Sequence, residues 1–322
     1  MTLNQNINSL EKKIISKNNR FEISKKDMKE LLLTFKNKNI LIIGAAGSIG
    51  YQFTIDLLKN FSVFKSLHLI DKNENELTQI NRNLILKKYK KKISYICSDI
   101  INLDLDQIVL NNKIHILLNF SAIKHVRSEE NFHSSRYMFL TNSIYFLPNK
   151  KHTLKKVFSV STDQTVTPKS ILGISKNLME KNLMNFGKKN KVFVSTTRFA
   201  NVSFSNGSIL KYAYERLNEK KFFGIPDKIK RYFITHEEAS TLCMKSLLNR
   251  YENQIIIPNP KILGKDYLIK ELVENIALIL KIKIKFVRNK KKLNIKNKIL
   301  NVLLTHPYTH GQKINEQLFD II

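Results

Sequence analysis

Two stretches of the 322-residue chain carry residue types that can do chemistry. The first is GAAGSIG, in which Gly44, Gly47 and Gly50 follow the apolar run NILII directly. Glycines at this spacing turn a strand tightly into a helix. They also let the backbone approach a pyrophosphate, so that the anion rests on the amides at the helix N-terminus. The next apolar run, SLHLID, ends in Asp71, a carboxylate placed to accept hydrogen bonds from ribose hydroxyls. That charge repels a 2′-phosphate and favours NAD over NADP; the flexible cation of Lys72 beside it softens the preference. The second stretch is VFSVSTDQTVTPKSILGISK, an apolar strand that runs through a polar turn into a helix bearing a lysine. Thr162 brings a hydroxyl, and Asp163 brings a carboxylate whose acid or base behaviour depends on burial. Lys176 brings an ammonium that lowers the pKa of a neighbouring proton acceptor. Four residues before Lys176 stands Leu172, which has no proton to exchange.

These residues need a frame, and the hydrophobic pattern supplies one. From Asn39 to about residue 202, short runs rich in β-branched residues alternate with amphipathic segments: NILIIG, SLHLID, ISYICSD, IHILLNFSA, KVFSVST and KVFVSTTRF read as strands. Such alternation predicts an α/β fold, a Rossmann-type doubly wound parallel sheet with helices on both faces. Residues 37–202 are expected as a dinucleotide-binding domain and residues 1–36 as a helical appendage. Residues 203–322 are expected to be mainly a smaller substrate-binding region, with 254–258 returning to the first sheet so that the two interleave. Asp99 and Ile100, at the end of the third strand, are placed to flank an adenine.

The formal charge of +29 raises nucleic acid as a partner, since cations displace counterions from phosphates. However, only 9 of the 55 basic residues are arginine, and the lysines are spread among Asn and Ile along the chain. Lysine-coated surfaces of this kind favour attraction of an anionic small molecule over specific nucleic-acid reading. No run reaches the roughly 18 apolar residues of a membrane helix, and the polar start lacks the core of a signal peptide, so a cytoplasmic protein with no membrane partner is expected. Cys97 and Cys243 are expected to be small buried hydrophobes, with no disulfide framework and no metal site.

Taken together, GAAGSIG, LIDKNENEL, NFSAIKHVRSEEN, SVSTDQTVTP, LGISK, TTRFANVSFSNGS and IKRYFIT resemble the extended short-chain dehydrogenase/reductase family. Within it they are similar to the nucleotide-sugar 4,6-dehydratases of the polysaccharide-biosynthesis group, which act on UDP-N-acetylglucosamine or related sugars. The likeness runs from about residue 38 to the C-terminal THPYTHGQ.

The resemblance implies NAD as cofactor, with NADP also admitted, a nucleotide-sugar substrate and a homo-oligomer. It implies a cycle in which hydride leaves sugar C4, water is lost across C5 and C6, and the hydride returns to C6. Acid–base groups are needed at each stage. The family's catalytic positions fall on Thr162, Asp163, Gln164, Leu172 and Lys176, with Lys176 also hydrogen-bonding the nicotinamide ribose. Cofactor contacts are expected from Gly44, Gly47, Ser48, Ile49, Gly50, Asp71, Asp99, Ile100, Ser121, Ala122, Lys124 and Lys176. Substrate contacts are expected from Lys124, His125, Arg198, Asn201 and Arg231, and Asn142 is read as supporting a water or backbone network. Two positions depart from the pattern. Leu172 stands where the family's usual base is a tyrosine, although members related to membrane-anchored dehydratases carry methionine there. Gln164 stands where a lysine takes the C5 proton. Two other readings therefore stay open: a 4-epimerase, which needs only reversible oxidation at C4, and a catalytically impaired cofactor-binding homologue.

Overall fold

The computed structural model describes residues 3–82, 88–150, 152–199, 201–289, 295–296 and 299–306. The described residues within Phe21–Phe199 and Ala239–Pro258 form one compact unit, and those within Met1–Arg20, Ala200–Glu238 and Asn259–Glu316 form a second. The stretch expected as an N-terminal appendage is divided between them. Helix α1 (Leu3–Ile14) belongs to the second unit, whereas α2 (Lys25–Phe35), which starts on a Ser24 cap and buries Leu31 and Phe35, belongs to the first.

The first unit is a doubly wound α/β fold around seven parallel strands. In sheet order these are Gln254–Ile256, then β6 (Phe193–Phe199), β5 (Lys156–Thr162), β4 (Ile116–Asn119), β1 (Asn39–Ile43), β2 (Ser66–Asp71) and β3 (Ile93–Cys97). Every residue of β1, β4 and β6 is buried, as required of strands covered by helices on both faces. Burying each such Ile, Leu or Val stabilises the sheet by about 1.5–3 kcal/mol relative to exposure. The helices that matter for the site are α3 (Ser48–Asn60), α4 (Glu74–Arg82), α5 (Leu105–Asn111), α6 (Phe132–Ser143) and α7 (Ile171–Asn190). Strand order reverses between β1 and β4, which opens the crevice at their carboxyl ends where ligands of open α/β sheets bind. Cys97 is exposed, contrary to expectation, because β3 is the edge strand; Cys243 is buried.

In the second unit, Ile299–Thr305 is the strand on which Phe223–Pro226, Ile284–Val287 and Ile295–Lys296 pair. Its core gathers Ile7, Leu10 and Ile14 of α1 with residues of the helices Ile209–Asn218 and Ile269–Ile279. Among the described residues, no helix is long and apolar enough to cross a membrane.

Candidate active site

The glycine turn is shaped by contacts that leave no room for side chains. Gly44 leaves β1 with φ +75°, and its N–H and that of Ala45 donate to the Ile70 carbonyl at 2.8 and 3.0 Å. A Cβ on Gly44 would lie 2.5 Å from the Ser121 backbone nitrogen, and one on Gly50 would lie 2.3 Å from the Gly44 oxygen. The two missing side chains let β1, the segment after β4 and the start of α3 close on one another. Gly47 is the N-cap of α3 and contributes no side-chain cap, so the positive end of the helix, at Ser48 and Ile49, is presented as an anion seat. Asp71 is fixed beside it: Oδ2 accepts from the Ala46 N–H at 2.9 Å and Oδ1 from the Asn73 N–H at 3.0 Å. At the end of β3, Asp99 caps Ile101 at 3.2 Å, and Ile100 is buried. Across the crevice, Ser121 donates through its hydroxyl (2.6 Å) and its N–H (3.1 Å) to Asn119 Oδ1, while Asn119 Nδ2 reaches Ser159 Oγ on β5 at 3.0 Å. Half-buried Ala122 follows. A cradle that a Cβ would fill, with a carboxylate at the next strand end, fits a dinucleotide.

The turn expected to be catalytic lies at the end of β5, two strands from β1 in the sheet. Thr162 donates its hydroxyl to Asp163 Oδ1 at 2.8 Å, and Gln164 Nε2 donates to Oδ2 at 3.3 Å, so both oxygens of the buried carboxylate are engaged. Helix α7 is pressed against this turn. A Cβ on Gly173 would lie 2.4 Å from the Gln164 carbonyl oxygen. Its N-terminus is capped by Ser170, which accepts from the Gly173 N–H at 3.1 Å, and by Glu129, which accepts from the Ile171 and Leu172 N–H groups at 3.0 and 2.8 Å. Leu172 is buried. Asn142 on α6 exchanges two hydrogen bonds with the backbone of Ile123, both 3.0 Å, and donates to Ser175 at 3.1 Å, thereby fixing the segment before Lys124 and His125 against α7. Lys124 and His125 are themselves exposed; partial burial and the neighbouring Lys124 hold the His125 imidazole below its ordinary pKa.

Lys176 is 3% exposed and donates to the Val160 carbonyl at 3.0 Å, two residues before Thr162. Burial lowers its pKa to about 8, against the opposing pull of Glu180, one helical turn on. Glu180 accepts from Ser161 Oγ at 2.5 Å and from Arg198 Nε and Nη2 at 2.8 and 2.7 Å. Arg198, expected among the substrate contacts, thus places its guanidinium fork on a carboxylate of its own unit, because a buried charge requires a partner. Asn201 and Arg231 belong to the second unit, where Asn201 Nδ2 donates to the Tyr232 carbonyl at 3.3 Å and Arg231 Nη1 to that of Lys230 at 2.8 Å. Glu129, Tyr137 and Glu180 are absent from the sequence-based set. The one readable signal was the four-residue spacing of Lys176 and Glu180, which puts both on one helix face.

The chain is 27% identical over 261 residues to the capsular polysaccharide biosynthesis protein CapD of Staphylococcus aureus, an alignment covering 78% of this chain and 42% of CapD, so that it spans less than half of that relative. It is 25% identical over 234 residues to an inverting UDP-N-acetylglucosamine 4,6-dehydratase of Campylobacter jejuni, covering 70% of this chain and 67% of the relative. Among solved structures, DesIV of Streptomyces venezuelae, a dTDP-glucose 4,6-dehydratase with NAD bound, superposes with a TM-score of 0.59 at 15% identity, over 87% of this chain and 92% of that one. The family of polysaccharide biosynthesis proteins matches residues 40–320, the last of them outside the described residues. Matched over most of its length, the chain belongs to the polysaccharide biosynthesis protein family.

Proposed function

We propose that this chain is an NAD-dependent nucleotide-sugar 4,6-dehydratase acting on UDP-N-acetylglucosamine or a closely related sugar nucleotide in the cytoplasm. The observation that carries the reading is the Thr162–Asp163 pair at the end of β5, the strand whose Ser159 accepts from Asn119, which in turn holds Ser121 at the glycine cradle. The likeness to the Campylobacter dehydratase supports the choice of substrate. Bound NAD would supply a reversible hydride acceptor for sugar C4, seated on Gly44, Gly47 and Gly50 with its adenosine ribose on Asp71.

The remaining chemistry is proton handling. Thr162 orients the C4 hydroxyl, and Asp163 takes its proton, since Leu172 has none to exchange. The same proton, returned by Asp163 to the C6 hydroxyl, lets that oxygen leave as water, while the C5 proton lost in the same step passes to His125, whose imidazole is held below its ordinary pKa and can accept it. Buried Leu172 keeps the α7 side of the turn dry, and the Lys176 ammonium lowers the proton affinity of groups beside it. Arg198 is left out of the substrate contacts, its fork being held by Glu180; Asn201, Arg231, Lys124 and His125 keep a substrate role on the resemblance alone.

Gln164 favours a second reading. An amide cannot take the C5 proton, and a 4-epimerase has no need to remove it. One incubation with UDP-N-acetylglucosamine and NAD, followed by mass spectrometry, tests both. A product lighter by one water, about 18 Da, is expected. An unchanged mass with an inverted C4 would replace the dehydratase by the epimerase. No product from the natural chain, with turnover appearing in Gln164→Lys, would identify an impaired homologue.

A further inference from the structure

Lys72 follows the ribose carboxylate directly, yet its ammonium is engaged elsewhere. Nζ donates to the Tyr137 hydroxyl at 2.9 Å and lies 4.8 Å from the centre of the Tyr137 ring. Tyr137, half-buried on α6, donates that same hydroxyl to Asp99 Oδ2, while the other oxygen of Asp99 caps Ile101. Burial, together with Asp99 beside it, raises the Tyr137 pKa, so the phenol stays a donor. The three side chains form a chain from the end of β2, across the end of β3, to α6. It spans the side of the crevice where the adenosine half of a dinucleotide is expected.

We propose that Tyr137 and Asp99 act as a latch that withholds the Lys72 charge from a 2′-phosphate and so makes the chain select NAD over NADP. Two facts make the latch decisive. Asp71 is immobilised by two backbone N–H groups, so its negative charge cannot move away from an added phosphate. Lys72 is the adjacent cation that could offset that repulsion, and its flexible stem would let it do so once the phenol no longer held it. The selectivity is therefore set by a tyrosine on α6, outside the glycine cradle and β2, a specificity-determining residue that acts through Lys72.

The inference rests on the dinucleotide part of the proposed function, and calorimetric titration of the purified full chain with NAD and NADP separates the two. In the natural protein NAD is expected to bind more tightly than NADP. Tyr137→Phe keeps the ring but removes the hydroxyl; it should tighten NADP by about tenfold, the worth of one charge-assisted contact, and leave NAD within about twofold. Adding Lys72→Met to that variant should abolish the gain. Lys72→Met alone, an exposed substitution that leaves the core untouched, should leave NADP affinity unchanged. The latch is overturned if Tyr137→Phe does not move the ratio of the two Kd values, if the gain survives Lys72→Met, or if Lys72→Met alone weakens NADP. Should the natural protein bind neither dinucleotide, the cofactor reading itself fails, and the latch with it.

Discussion

At the end of β1 the chain turns on Gly44 with φ +75°, and what decides the geometry is the space that side chains leave empty. At the end of β5 the turn is made by side chains: Thr162 and Gln164 grip Asp163, Ser161 and Arg198 grip Glu180, and Lys176 is tied to Val160. The difference teaches which half of the crevice is open to chemical change. A backbone-built seat tolerates new neighbours but no added Cβ, and here every glycine it requires is in place. A seat built from side chains changes its chemistry one residue at a time, and Gln164 and Leu172 stand there as such changes. The first half keeps every glycine of the expected motif; under the proposed function, the choice of reaction falls to the second.

The comparison breaks most visibly at Asp163. Asp163→Asn should lower turnover by about 10²- to 10⁴-fold, the usual cost of losing an acid–base group, while NAD affinity measured by calorimetry stays unchanged. Full activity in that variant would show that side chains elsewhere carry the proton. The next effect concerns Lys176, whose folded pKa of about 8 lies below the ordinary 10.5. Between those values the unfolded chain binds more protons than the folded one, so stability rises with pH through that window; below about pH 8 the full penalty of burying the charge applies. Lys176→Met removes the penalty. The variant should be more stable than the natural protein at pH 7 by an amount on the order of 3 kcal/mol, and the gap in urea midpoint should shrink as pH approaches 10.5. A gap that does not depend on pH would mean that the lysine titrates alike in the folded and unfolded chain, so that burial does not lower its pKa. The smallest effect tests the other half. Gly44→Ala forces a Cβ to within 2.5 Å of backbone in a left-handed conformation; it should cost about 1–3 kcal/mol in thermal or urea unfolding and weaken NAD more than Asp163→Asn does.

Much of this architecture could be read from pattern. The apolar runs at Ile40–Ile43, Leu67–Ile70 and Val157–Val160 alternate with amphipathic segments at helix-like period, a pattern that a parallel sheet covered on both faces buries. The glycine spacing located the tight turn from β1 into α3 for the same reason, since a turn of that shape is a local property. Partners distant in sequence were not readable. An arginine at the end of a strand serves equally to meet a ligand phosphate or an internal carboxylate; Arg198 meets Glu180, and no feature near residue 198 announces it. Tyr137 looked like one more aromatic on an amphipathic helix until the fold brought Asp99 and Lys72 to it. The division of the first 36 residues was hidden in the same way. Both N-terminal helices are polar on one face, and their partners lie downstream: α1 packs with residues from Phe204 onward, and α2 sets Phe35 against Phe61 and Asp27 on Arg250.

That last arrangement has a consequence for how the protein is born. Helix α1 precedes most of its own core in the chain: Ile7, Leu10 and Ile14 are covered only when Phe233, Leu272, Val273 and Ile276 have been synthesised. The outer edge of β6 likewise stays unpaired until Gln254–Ile256 arrives. Until those segments arrive the nascent polypeptide carries an uncovered apolar helix face and, once β6 is made, an open strand edge, the two surfaces on which emerging chains associate wrongly.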